Sequence, residues 1–220
     1  MTVPRRRVAV TGVGVVSPLG TGTEATWKAL VSGESGAGPV TKFDVTDFGT
    51  KIACEVKDFE PTDFMEQRDA RRSDRFSQYA VASAVQAVEQ AGWTSSVPYD
   101  GARVGVVVGS GIGGIETLET QHKVLLERGP SKMSPFTVPL LMVNGASGSI
   151  AMRFGLHGPN YSPVSACASG AHSIGEAANL IRHGLADAMV AGGSEAPITP
   201  LAFGAFACMG ALSRRNDDPQ

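Results

Sequence analysis

The run Tyr161-Ser162-Pro163-Val164-Ser165-Ala166-Cys167-Ala168-Ser169-Gly170-Ala171 decides the fold class, because it converts an extended segment into a helix at one thiol. Its left half carries a proline. Its right half opens a helical pattern, with Ile174, Ala177, Ala178 and Ile181 at spacings of three and four. Cys167 stands at the junction with only Ala, Ser and Gly beside it, so the backbone can turn sharply and a bulky reactant can reach the sulfur. The first amides of the helix lack intrahelical acceptors and favour an anion there. The thiolate is the nucleophilic form of cysteine. A lone cysteine otherwise reads as a small buried hydrophobe, but a strand–Cys–helix junction favours the nucleophile.

Outward from this junction, apolar strands alternate with helices. Arg7 to Val16 reads as a buried first strand, and Thr23 opens a short helix that is capped by Gly22 or Thr23 and ended by Gly33. Lys51–Val56 reads as a short strand, with a short helix after Pro61. A long amphipathic helix is expected from about Arg71 to Ala91, burying Phe76, Ala80, Ala84, Val85 and Val88 and stopping at Gly92. Arg103–Val108 is a further buried strand, Ile115–Glu127 and Val138–Phe154 are helical, and Asp187–Gly192 is the last strand. Near-continuous Val/Ala-rich strands separated by helices mean an α/β fold with a mostly parallel sheet. With no repeat, low-complexity stretch or linker in view, residues 1–220 read as one domain.

Composition narrows the function. Nineteen basic residues against 21 acidic ones give no reason to expect a nucleic-acid partner. Three cysteines, Cys54, Cys167 and Cys208, are odd in number and lack C-x-x-C spacing, which points away from disulfides and zinc and toward a reducing, cytoplasmic compartment. Four scattered histidines give no metal cluster. Arg5-Arg6-Arg7 before Val8-Ala9-Val10 imitates a twin-arginine signal, yet Gly12, Gly14, Pro18 and Gly20 interrupt the next stretch and no A-x-A site appears. No segment has the roughly 18–20 apolar residues of a membrane span.

Gly109-Ser110-Gly111-Ile112-Gly113-Gly114 satisfies G-x-G-x-x-G between a strand and a helix. The dinucleotide fingerprint also needs a second strand that ends in an acidic residue about 20 residues on. Gly129-Pro130-Ser131-Lys132-Met133-Ser134-Pro135 occupies that place and cannot be such a strand. The alternative is a glycine-rich turn that aims Ile112 into a cavity.

Ser165-Ala166-Cys167-Ala168-Ser169-Gly170, Val190-Ala191-Gly192-Gly193-Ser194-Glu195, the 109–114 run, Ala211-Leu212-Ser213-Arg214-Arg215-Asn216-Asp217 and Val10-Thr11-Gly12-Val13-Gly14 occur in an order and spacing that resembles a β-ketoacyl–acyl carrier protein synthase of the elongating type II kind. The resemblance covers the whole chain. It implies a thiolase-like fold, of which these residues are the N-terminal half, and a homodimer. The implied activity is decarboxylative Claisen condensation in fatty-acid or polyketide chain elongation, without a cofactor. Cys167 accepts an acyl chain from its carrier, and malonyl–carrier protein loses carbon dioxide and attacks the thioester.

The resemblance also assigns sites. Ile112, Phe136 and Phe206 match positions at the acyl pocket, Phe136 near the dimer interface. Arg68, Arg71, Arg72 and Lys132 are expected to meet the acidic carrier protein; Arg68, Arg71, Arg72 and Arg75 are spaced to share one helical face, although Asp69 and Asp74 interrupt it. The Cys167 N–H is implied as part of the oxyanion site. Synthases of this kind are about twice as long and draw two histidines, a lysine and a second oxyanion amide from their C-terminal half. His122, His157, His172 and His183 are expected to be solvated or structural instead, since a base must reach its target. A 220-residue chain made alone is therefore expected to form no β-ketoacyl product. It is also expected to associate, because its 167–183 helix reads as apolar around most of its circumference. Two other readings stay open: a thiolase-fold enzyme that uses acyl-coenzyme A, and an inactive fragment.

Overall fold

The computed structural model describes residues 6–93 and 97–219. Arg5 and Gln220 lie outside them. In chain order the strands and α-helices are β1 (Val16–Ser17), β2 (Gly20–Thr21), α1 (Thr23–Val31), β3 (Gly38–Pro39), β4 (Ile52–Ala53), α2 (Gln67–Ala70), α3 (Arg75–Gln90), β5 (Val104–Gly109), α4 (Ile115–Arg128), α5 (Thr137–Leu141), α6 (Gly145–Phe154), β6 (Asn160–Tyr161), α7 (Ser169–Arg182), β7 (Ala188–Gly193) and α8 (Pro200–Cys208). Two compact units emerge, one formed by residues up to Gly14 with Pro61–Ala196, the other by Val15–Glu60 with Pro197 onward.

The first unit holds the expected parallel sheet, in the order β6-β5-β7. Its middle strand, Val104-Gly-Val-Val-Val-Gly109, is buried at every position, as a strand covered on both faces must be. The strand into Cys167 is regular only over Asn160–Tyr161. One hydroxyl joins helix and sheet there: Ser147 of α6 is fully buried and accepts from the Val108 N–H at 3.0 Å. Its own proton has the Val108 and Tyr161 carbonyls at 3.2 Å and Ser162 Oγ at 3.0 Å within reach.

Several expectations need correction. Residues 7–15 form no strand, and Val10 is 80% exposed. Instead this segment lies against α3. A Cβ at Gly12 would come within 1.9 Å of the Ala87 carbonyl oxygen and one at Gly14 within 1.8 Å of that of Ser83, so glycine is required for backbone to lie on helix. The long helix begins at Arg75, not Arg71, because Asp74 caps it: its carboxylate accepts from the Phe76 N–H at 3.3 Å and from the Thr117 N–H and hydroxyl at 3.0 and 2.6 Å. Val138–Phe154 splits into α5 and α6, and the Leu141 carbonyl at the break accepts from Gly114 N–H at 3.3 Å. The Lys51–Val56 strand shrinks to Ile52–Ala53. In α7, Ser169, Ser173 and Ala177 form the buried stripe, while the apolar Ile174 on another side is 55% exposed. That stripe faces β5 and β7.

In the second unit, Phe43, Phe48 and Phe203 form a three-ring cluster with centroids 5.5–5.8 Å apart. Buried Glu55 sits beside the turn before β4. Burial opposes its charge, but hydrogen bonds from the Thr41 hydroxyl and N–H and from the Lys42 N–H hold its carboxyl below the usual range. The Ser213-to-Asn216 run is a clasp: Ser213 O accepts from the Thr50 hydroxyl, and the Asn216 amide takes the Lys51 N–H and donates to Gly49 O.

Where β5 and β7 enter the first unit's sheet, the Asp187 carboxylate takes Arg103 at 3.0 and 3.1 Å and Arg6 at 2.9 Å. Hydrogen bonds from Arg103, then Arg6, hold its carboxyl down at about 2. A lowered carboxyl contributes stability above the unfolded value near ~4 and loses it as pH falls toward the folded one. The stability gap between the native chain and Asp187→Asn in urea melts should therefore be open at neutral pH and narrow as pH drops from about 4 to about 2. A gap that stays constant over that range would show that the two arginines do not act through this charge.

Candidate active site

Cys167 is exposed and stands two residues before the first helical residue of α7, behind the N-cap Ala168. The turn that presents it rests on Ala166, whose φ of +49° is the left-handed conformation that costs a non-glycine residue roughly 1–2 kcal/mol. Buried Ser169 holds that turn closed. Its hydroxyl accepts from the Ser165 N–H at 2.9 Å and donates to the Ala166 carbonyl at 2.7 Å, while the Ala168 and Ser169 amides bond back to Ser165 and Ala166. The Cys167 N–H donates to no acceptor among the described residues, which leaves it available beside the sulfur. His172 is placed by the same turn, with Nδ1 2.6 Å from the Ser165 hydroxyl. It acts here as a brace, as expected for a structural histidine.

The glycine-rich turn lies next to this junction. A Cβ on Gly111 would come within 3.4 Å of Ala166 Cα. Its amides are already occupied: Glu195 accepts from Gly111 N–H at 2.6 Å, Ile112 N–H at 3.3 Å and the Ser110 hydroxyl at 2.8 Å, and Ser110 Oγ accepts from Gly113 N–H at 3.0 Å. Those donors are the ones a nucleotide phosphate would need. The nucleotide reading is thereby removed on physical grounds. Ile112 is half-buried on this turn, next to Gly111, whose backbone approaches Ala166.

The other expected residues are spread more widely. Phe136 is 37% exposed, and the Arg72 guanidinium lies 4.8 Å from its ring centroid, so a position assigned to the pocket and one assigned to the carrier protein touch each other. Arg68 pairs with Asp69 on the surface at 3.4 Å, Arg71 is exposed, and Lys132 is exposed in a 3-10 turn, Pro130–Lys132. The break at Arg71–Asp74 means that the arginines do not share one continuous helical face. Phe206 sits half-buried on α8 of the second unit. Among the described residues no three His, Cys, Asp or Glu side chains are grouped to hold a metal, and no helix is long and apolar enough to cross a membrane.

The family model for the β-ketoacyl synthase N-terminal domain matches residues 5–220. The chain belongs to the β-ketoacyl synthase family. It is 48% identical over 216 residues to the 3-oxoacyl-[acyl-carrier-protein] synthase 2 of Vibrio cholerae, covering 98% of this chain and 52% of that protein. The chain thus spans about half the length of the curated relatives it matches. Among solved structures it resembles the ishigamide ketosynthase/chain length factor, with a TM-score of 0.86 and 34% identity over 95% of this chain and 52% of that one. A type II polyketide ketosynthase solved in complex with its acyl-carrier protein shares the fold at a TM-score of 0.80 and 24% identity, over 95% of this chain and 56% of that one. The ketosynthase family and its thiolase-like fold agree with the sequence reading.

Two site features escaped that reading. Ser169 looked only like a small neighbour of the thiol, and Glu195 only like part of a matching run. The register of the sheet would have revealed Glu195: Gly109 pairs with Gly193, so Gly111 and Glu195 lie at equal offsets beyond two parallel strands.

All three cysteines are exposed, so accessibility does not rank them. Helix polarity does, because Cys167 precedes the amide end of α7 whereas Cys208 is the last residue of α8, at its carbonyl end. Iodoacetamide should therefore alkylate Cys167 before Cys208 and Cys54, as read by peptide mapping of the folded chain. Earlier labelling of Cys54 or Cys208 would remove the proposed electrostatic advantage.

Proposed function

We propose that this chain is the nucleophile-bearing half of an elongating 3-oxoacyl–acyl carrier protein synthase, with residues 1–220 acting as one N-terminal catalytic domain. The observation that carries this reading is the exposed Cys167 on a strained turn, with its own N–H taken by no acceptor among the described residues beside the helix N-terminus. In the first half-reaction the Cys167 thiolate attacks the thioester carbonyl of an acyl–carrier protein. The Cys167 N–H donates to the oxyanion of the tetrahedral intermediate. Collapse expels the carrier's thiolate, which takes up a proton, and leaves the acyl group on Sγ. In the second half-reaction malonyl–carrier protein loses carbon dioxide, and the resulting enolate carbon attacks the acyl–Cys167 carbonyl to give the β-ketoacyl product and free the thiolate. The decarboxylation needs donors for the enolate oxygen, which this reading assigns to a C-terminal half.

The names of the relatives support an acyl-carrier-protein partner. Arg71, Arg72 and Lys132 are the exposed basic groups proposed to meet its acidic surface, with Arg68 beside them once it leaves Asp69. The family likeness also supports a homodimer, a cytoplasmic setting, and Ile112, Phe136 and Phe206 as acyl-pocket residues.

Incubation with a long-chain acyl–carrier protein should add one acyl mass to the peptide that contains Cys167, and none in Cys167→Ala. Acylation by acyl-coenzyme A but not by the carrier-bound thioester would favour an acyl-coenzyme A enzyme of the same fold. No acylation by either donor would leave an inert chain.

A further inference from the structure

Glu195 is a group of the first unit that the condensation chemistry does not use, although its contacts are highly directed. It ends no helix and forms no ion pair among the described residues. Both carboxylate oxygens are committed to one short turn. Oε2 accepts from Gly111 N–H at 2.6 Å, and Oε1 accepts from Ile112 N–H at 3.3 Å and the Ser110 hydroxyl at 2.8 Å. Ser110, 2% exposed, passes the link on by accepting from Gly113 N–H at 3.0 Å. Three successive amides of a glycine-rich turn thus converge, directly or through one hydroxyl, on a single anion. Such a nest ordinarily binds a phosphate or carboxylate from outside.

The turn so fixed has consequences on both sides. Toward Cys167 it abuts Ala166: a Cβ on Gly111 would meet Glu195 Oε2 at 2.9 Å and Ala166 Cα at 3.4 Å. Toward the pocket it carries Ile112, whose own N–H is one of the three. We propose that Glu195 is a positioning residue of the acylation site: its carboxylate fills the anion seat of the Ser110–Gly113 turn, and through that turn it sets Ile112 and the backbone wall beside Ala166, hence how a long acyl chain reaches Cys167. The proposal rests on the reading of Cys167 as the acyl acceptor. Hydrogen bonds to a charged acceptor are roughly twice as strong as neutral ones, and an emptied seat leaves the Gly111 and Ile112 amides and the buried Ser110 hydroxyl without their anion. The turn therefore relaxes when the charge is removed.

The test compares alkylation of Cys167 by iodoacetamide and by an N-dodecyl iodoacetamide in the native full chain, Glu195→Gln and Glu195→Ala. The small reagent reports the thiol and the long one reports the wall. In Glu195→Ala the rate with the long reagent relative to the small one should change by about tenfold, the cost of one charge-assisted hydrogen bond. Excess formate, which supplies a carboxylate to the vacant seat, should return the ratio toward the native value, while chloride should not. Glu195→Gln should fall between the two, because its amide oxygen replaces one acceptor while its NH2 opposes an N–H. A native ratio in both variants overturns the proposal. So does a changed ratio that formate leaves untouched while the melting temperature falls, since that is general loosening. Failure of the native chain to take an acyl thioester would sink the functional reading alone, because the two alkylating reagents still report on Glu195.

Discussion

The presentation of Cys167 depends on one unfavourable backbone conformation, the left-handed Ala166 with φ of +49°. An alanine adopts that state only where its surroundings over-determine it. Here the Ser169 hydroxyl accepts from the Ser165 N–H and donates to the Ala166 carbonyl, His172 braces Ser165, and the Gly111 backbone lies against Ala166. Relaxing Ala166 to an ordinary conformation would break these contacts and swing Cys167 away from the start of α7. The small residues around the thiol, which the sequence presents as mere room, are thus what allows three elements to converge on one turn.

Polar side chains do the positioning throughout, and the apolar ones fill in behind them. Ser147 fastens α6 to the ends of β5 and β6 from a site without solvent. Asp74 starts α3 and holds the first turn of α4 with the same carboxylate. Asp187 gathers Arg6 and Arg103 where two parallel strands begin, and Glu55 does similar work in the second unit. Each ties its own segment to at least one other that is distant in sequence. Directional bonds of this kind fix register where Val and Ala packing alone would allow slippage.

The sequence made the fold class, the strands β5 and β7, α4, and the position of Cys167 before a helix legible, because apolar runs and a strand–helix junction leave local marks. It misled where long-range partners decide. The 7–15 segment has strand-like composition but lies on α3 through two glycines. Four arginines spaced for one helical face are divided because Asp74 finds a better role as a cap than as a mid-helix residue. Val138–Phe154 has helical composition, yet the chain breaks where Gly114 takes the Leu141 carbonyl. None of these outcomes is visible in a short window of sequence, since each is set by a group far along the chain or by backbone alone.

The Glu195 contact also bears on how glycine-rich turns are recognised in general. A strand–turn–helix that satisfies G-x-G-x-x-G is a false positive for a nucleotide site when the adjacent parallel strand delivers a carboxylate at the same height. Pattern matching along one segment cannot register this, because the disqualifying residue lies 84 positions downstream of the glycine it bonds. The discriminating feature is a pair: two parallel strands ending in register, one followed by glycines and the other by an acid. Searched for as a pair, the same short motif sorts into turns that await an anion and turns that carry their own.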